Sequence, residues 1–182
     1  MAGAMTAERP PGTARDLGGK YLTFGLDREE YGLEILKVQE IIGMMDITPV
    51  PRTPEDIRGV INLRGKVIPI VDLRLKFSME AAERTSETCI IVVEANRLQT
   101  GIVVDQVSEV LDIMAENVED TPAFGADVRT DYILGIGKSE GHVKLLLDID
   151  RVLGDGNLEQ IAGAGGEMGD EPAVETAMAQ AA

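Results

Sequence analysis

Apolar and polar positions alternate in short runs along most of this chain, the period-two signature of half-buried β-strands. Tyr21-Leu-Thr-Phe-Gly-Leu26 alternates, Asp27 to Glu30 turns the chain, and Tyr31 to Ile35 returns. Val60 to Leu63 and Val67 to Val71 flank Arg64-Gly65-Lys66, a hairpin whose glycine can take a positive φ. The design recurs twice. Cys89 to Glu94 and Gln99 to Val104 flank Asn96-Arg97, and Tyr132 to Gly137 and His142 to Leu147 flank Glu140-Gly141. Helical character is confined to short stretches. Asp72 to Phe77 and Asp148 to Leu153 each predict one turn of helix with the aspartate as its N-cap. Pro54 to Ile57 predicts a further helical turn.

These elements form a repeat. When Tyr31 to Ile41 is set against Thr100 to Val110, Gly32 falls on Gly101, Val38 on Val107, Glu40 on Glu109 and Ile41 on Val110, an offset of 69. When Gly59 to Leu73 is set against Gly135 to Ile149, Gly65 falls on Gly141, Val67 on Val143 and Asp72 on Asp148, an offset of 76. Ordered matches at glycines and apolar positions indicate one small fold built twice, because those are the turn and core positions of a sheet. About five short strands per unit with little helix predict a mainly β protein of two small SH3-like or Greek-key barrels. They are expected near residues 36–84 and 85–134, within a domain spanning 19–154, with the remaining strands shared at the junction. Residues 1–18 and the acidic, Ala/Gly-rich residues 155–182 are expected to be disordered tails, apart from a short helix over Asn157 to Ile161.

At 182 residues and 44% hydrophobic content the chain can bury a core, and 3% aromatic content makes that core aliphatic. A formal charge of −15 argues against nucleic acid and anionic membranes, both of which require a cationic face. The single cysteine, Cys89, cannot form an internal disulfide, which suits a reducing compartment. No apolar run of about 18 residues and no basic-then-apolar leader is present, so a cytoplasmic location without membrane insertion is expected.

Enzyme chemistry finds little foothold. The lone His142 follows a hairpin glycine and reads as an exposed turn, while Cys89 opens the apolar run CIIVV and reads as a buried thiol. Gly135-Ile-Gly137 lacks the third glycine and the following helix of a dinucleotide fingerprint. No catalytic residue, metal or cofactor is therefore expected. The alternative is a small-molecule-binding or hydrolytic barrel using Asp72, Asp105 or Asp148.

Two features exceed scaffold. Glu40, beside the apolar-spaced Ile35, Val38 and Ile41, and Arg64 at a hairpin tip predict an ion pair across neighbouring strands that braces a groove. Phe124 is the one aromatic in Glu119-Asp-Thr-Pro-Ala-Phe-Gly125; it either tucks under its loop or stands out as a partner anchor.

At this point the residues resemble a family. EEYGLEILKVQEI (Glu29 to Ile41), the segment Pro54 to Arg74 and GIVVDQVSEVL (Gly101 to Leu111) resemble the CheW family of chemotaxis coupling proteins, over residues 20–154. The motif N-L-R-G-x-x-x-P-I-V-D-L-R at Asn62 to Arg74 is specific to that family and to the regulatory domain of the chemotaxis histidine kinase. The resemblance implies two SH3-like five-stranded barrels around one core. It also implies a non-enzymatic adaptor that joins the cytoplasmic tip of a chemoreceptor to that kinase domain, in rings beneath the receptor array. By position, Val38, Glu40, Ile41, Gly59, Arg64 and Val110 would lie at or near the receptor-facing groove, and Phe124 at a kinase or ring contact.

Overall fold

A computed structural model of the chain describes residues 17–121 and 131–154. Within them the alternating runs become strands β1 (Gly19–Leu26), β2 (Glu29–Glu34), β3 (Val38–Gly43), β4 (Ile57–Leu63) and β5 (Lys66–Asp72), followed by a one-turn helix, α1 (Leu73–Lys76). The second half gives β6 (Cys89–Ala95), β7 (Leu98–Val104), β8 (Gln106–Ile113), β9 (Val118–Glu119), β10 (Ile133–Ser139) and β11 (His142–Leu147), closed by α2 (Ile149–Val152). Arg64-Gly65, Asn96-Arg97 and Glu140-Gly141 are two-residue turns with φ between 51° and 85° at both positions. That is the type I′ geometry that matches strand twist. Asp72 and Asp148 cap as expected, accepting from the amides of Arg74 at 3.0 Å and Arg151 at 3.3 Å. Pro54 to Ile57 forms a hydrogen-bonded turn rather than a helix, because Ile57 at once opens β4.

The strands assemble into two sheets, with orders β3-β6-β7-β5-β4 and β8-β1-β2-β11-β10-β9. Exchanging the repeats, β1 for β6, β2 for β7, β3 for β8, β4 for β10 and β5 for β11, converts one order into the other. Each sheet combines a hairpin from one repeat with strands of the other, through the parallel pairs β2–β11 and β5–β7. The first barrel is therefore built from residues 38–104, and the second from 19–34 with 106–147. This redraws the units expected at 36–84 and 85–134: hairpin β6–β7 belongs with β3, β4 and β5. Alternation determines which strands form hairpins but not which non-local strand lies alongside, and the parallel partner is non-local. The ordered fold also reaches back to Leu17, which is buried against Tyr21, Ile113, Val118 and Leu146.

Three apolar clusters follow from the period of two. Along β6, Ile90 and Val92 enter a cluster with Ile61, Ile68, Ile70 and Val103 that belongs to the first barrel. Their neighbours Ile91 and Val93 face a larger cluster shared by both sheets, with Leu22, Phe24, Leu33, Val71, Ile102 and Leu147. Burial on both faces explains the unbroken runs CIIVV and VIPIV. Gly32 and Gly101, matched by the repeat, leave room for Leu146 and Ile70, whose methyls would lie 2.8 and 2.5 Å from an added Cβ. In the second barrel Lys144 takes the repeat position of Ile68; it is buried, with its ammonium 2.7 Å from Glu30.

Candidate functional site

β3 and β4 are the two edges of the first sheet, and the candidate residues gather where those edges meet. Val38 packs against the shared core, and a bulge between Val38 and Glu40 re-aims the strand so that Ile41 is 46% exposed. Arg64, the first residue of the β4–β5 turn, reaches back across the seam. Its Nη1 donates to Glu40 Oε1 at 2.6 Å and its Nη2 to Oε2 at 2.8 Å. The expected pair forms, but not across neighbouring strands: it links the first and last strands of the sheet order and so closes the barrel. The fork-on-fork geometry is the strong form of an arginine–carboxylate contact. The Arg64 hydrogen bond holds the Glu40 carboxyl below its usual range, and Glu40 in turn raises the guanidinium. Because the pair faces solvent, it shapes the surface more than it holds the fold.

Gly59 seals the other end of the seam. It has φ +141° and sits so close to the preceding loop that an added Cβ would lie 2.0 Å from the Thr48 carbonyl oxygen. That approach lets Thr48 and Val60 exchange backbone hydrogen bonds of 2.8 and 2.9 Å. Val38, Glu40, Ile41, Gly59 and Arg64 thus share one seam. Val110 does not: it lies on β8 of the second sheet, 50% exposed, as the repeat mate of Ile41. Phe124 lies outside the described residues.

Two buried or half-buried clamps escaped the sequence reading. Arg74 of α1 donates from Nε and Nη2 to the two carboxylate oxygens of Asp105 at 2.7 and 2.5 Å, and the amide of Asp27 adds a third bond at 2.7 Å. The Arg74 bond holds the Asp105 carboxyl below its usual range. In the second clamp, Lys37 donates to Asp150 of α2 at 2.8 Å and the amide of Asn96 does so at 2.9 Å. Burial pushes the Asp150 carboxyl up, but Lys37 and that amide outweigh it and leave it lowered. In repeat register Asn96 falls on Asp27 and Asp150 on Arg74. The clamps are one design with reversed polarity: helix cation on crossover anion in one, helix anion on crossover cation in the other. That reversal was the available signal.

The remaining polar candidates have structural work. Asp72, besides capping α1, takes Arg58 at 2.9 Å, and Asp148 takes Arg151 at 3.4 Å, so Asp72, Asp105 and Asp148 all hold neighbours in place. A cleft of about 220 Å³ between Met44, Arg58, Asp72, Arg74 and Asp105 is walled by these satisfied pairs. His142 is exposed at the start of β11, and burial pushes the Cys89 thiol up, away from reactivity. Among the described residues no group of three His, Cys, Asp or Glu could hold a metal ion, and no helix is long and apolar enough to cross a membrane.

Comparison with known proteins adds a decisive observation: the family model for the CheW-like domain matches residues 20–156. The chain belongs to the CheW family. It is 40% identical to the chemotaxis protein CheW of Klebsiella aerogenes, over 84% of this chain and 91% of that one. It is 35% identical to the chemotaxis protein CheW of Rhizobium meliloti, over 74% and 87%. The crystal structure of the scaffolding protein TtCheW from Thermoanaerobacter tengcongensis superposes with a TM-score of 0.69 at 34% identity, covering 75% of this chain and 92% of that one. The mainly β architecture of two SH3-like units is thus the CheW architecture, and the chain takes its place among chemotaxis scaffold proteins.

Proposed function

We propose that this CheW-family chain is a non-enzymatic adaptor that couples the cytoplasmic tip of chemoreceptors (methyl-accepting chemotaxis proteins) to the regulatory domain of the chemotaxis histidine kinase, in arrays beneath the inner membrane. The observation that carries the reading is the solvent-facing Glu40–Arg64 pair at the barrel seam beside exposed Ile41. A bidentate pair on rigid strand and turn positions that adds little to stability suits recognition better than structure. The chemotaxis relatives and the scaffolding title of the solved structure support the same reading. Two barrels offer separate surfaces for two partners, as an adaptor requires. Each contact can be smaller than the roughly 1,200 Å² of a stable interface, because linkage within an array supplies effective concentration. The hydrolytic alternative gains nothing from Asp72, Asp105 or Asp148, each of which is engaged.

The test is capture of a receptor signalling fragment and the kinase regulatory domain on the full chain. Glu40→Ala and Arg64→Ala should weaken receptor capture and spare the kinase domain. Phe124→Ser should reduce assembly into rings while sparing one-to-one receptor binding. Receptor capture at the wild-type level by both seam variants would refute the assignment.

A further inference from the structure

We propose that three ion pairs between the repeats act as a registry device, selecting the exchanged fold over an unexchanged one that the same strands could form. Moving hairpins β1–β2 and β6–β7 each to the other sheet would give the orders β3-β1-β2-β5-β4 and β8-β6-β7-β11-β10-β9, each barrel then made of one repeat. The apolar pattern does not choose between the two. Gly32 makes room for Leu146 and Gly101 for Ile70, and Leu146 and Ile70 are themselves repeat mates, so each glycine would find an equivalent partner after the move. Two arrangements so alike in packing need a specific feature to separate them.

Charge does choose. Arg74 meets Asp105 at 2.5 Å, Lys37 meets Asp150 at 2.8 Å and Lys144 meets Glu30 at 2.7 Å, each pair joining one repeat to the other. Lys37 and Asp105 lie in the crossovers from β2 to β3 and from β7 to β8, the hinges about which the hairpins would move. In the unexchanged fold β5 would run beside β2, and α1 would follow it to the end of that strand. Arg74 would then meet Leu36 and Lys37, and Asp150 would meet Asp105 and Gln106. The reversed polarity of the two clamps thus turns each attraction into a contact of like charges. The third pair acts in the same direction. Lys144 stands opposite Glu30 on parallel β2, whereas the same position on β7 is Gln99. Its side chain is only 7% exposed, so moving the hairpins would strand a buried ammonium beside a neutral amide. Glu40–Arg64, Arg58–Asp72 and Lys138–Glu119 each lie within one repeat, would persist in either fold and carry no selection.

The test is refolding of the full, isotopically labelled chain by dilution from urea, followed by circular dichroism and by the amide spectrum of the product. Lys37→Asp with Asp150→Lys gives both clamps one polarity, so that either fold joins cation to anion. Glu30→Gln with Lys144→Ile gives the second barrel the residues that the first carries at Gln99 and Ile68. With all four substitutions the amplitude of slow refolding should rise at least threefold over wild type. A second set of dispersed amide signals from β2, β5, β7 and β11 should accompany it. Lys37→Ala breaks a clamp without rewarding the other fold, and Glu119→Lys with Lys138→Glu reverses a pair within one repeat; both should refold as wild type to a single set of signals. If the fourfold variant does not fold, Glu30→Gln with Lys144→Ile decides alone, with a smaller rise in the same slow amplitude expected. Wild-type refolding to a single set of signals by the deciding variant, or an equal change in either control, would overturn the proposal.

Discussion

In the first barrel a guanidinium from the β4–β5 turn reaches a carboxylate on β3; at the matching repeat positions of the second barrel stand two carboxylates, Glu109 and Glu140. The two clamps tell the opposite story. Arg74–Asp105 and Lys37–Asp150 have exchanged charges between helix and crossover, yet each has kept a cation against an anion. Exposure explains the contrast. Arg64 and Glu40 face water, so losing one partner at such a site costs little and the two seams were free to diverge. Arg74 is mostly buried, and removing one member of such a pair strands a desolvated charge. Duplication fixed the backbone positions, and burial accounts for the retention of Arg74–Asp105, while in the more exposed clamp Asp150 is held by the amide of Asn96 as well as by Lys37.

The largest effect should come from closing distances at the seams. Gly59→Ala forces a Cβ to within 2.0 Å of the Thr48 carbonyl oxygen at φ +141°, and should destabilise by about 3 kcal/mol or more. Its mate Gly135 has no positive φ, and its closest approach is 2.9 Å, so Gly135→Ala should cost about half as much. Urea unfolding of both variants checks this; equal losses would mean that the seams are under equal constraint. Next, Arg74→Ala should cost about 3 kcal/mol as a broken part-buried pair, against about 1 kcal/mol or less for Lys37→Ala in the more exposed clamp. Similar values for the two would break the argument from burial.

pH sharpens the same contrast. With its folded pKa depressed by Arg74, Asp105 contributes stability that is fully present above the ordinary carboxylate value of about 3.9 and is lost as pH falls through the folded value. Arg74→Ala should therefore flatten the acid limb of the stability profile below about pH 4. An acid limb as steep as the wild-type one would show that the clamp does not set it. Smallest of all, Glu140→Arg, at the repeat position of Arg64, should leave the unfolding midpoint nearly unchanged, because that turn position is exposed; a clear rise would mean that charges at the seams do stabilise.

Much of this was legible in the sequence because it is local. Hairpin turns, the caps at Asp72 and Asp148 and the repeat itself depend on residues a few positions apart. The approach of Glu40 to Arg64 was also legible, since a hairpin tip and an edge-strand carboxylate were both visible as polar points in apolar surroundings. What remained hidden depends on long-range pairing. That β6–β7 joins β5 and β1–β2 joins β11 is set by parallel contacts for which periodicity carries no signal. Asp105 read as a candidate catalytic carboxylate because its partner, Arg74, is brought to it only by the crossover. Lys144 sits in an apolar run that gives no hint of Glu30 on the neighbouring parallel strand.

The claim that the first seam is a recognition surface is tested most directly by measuring, on one preparation of Arg64→Ala, both urea unfolding and affinity for the receptor signalling fragment. The account predicts an unfolding midpoint indistinguishable from wild type, together with at least a tenfold loss of receptor affinity. Wild-type affinity, or a loss that merely tracks the unfolded fraction, would contradict it.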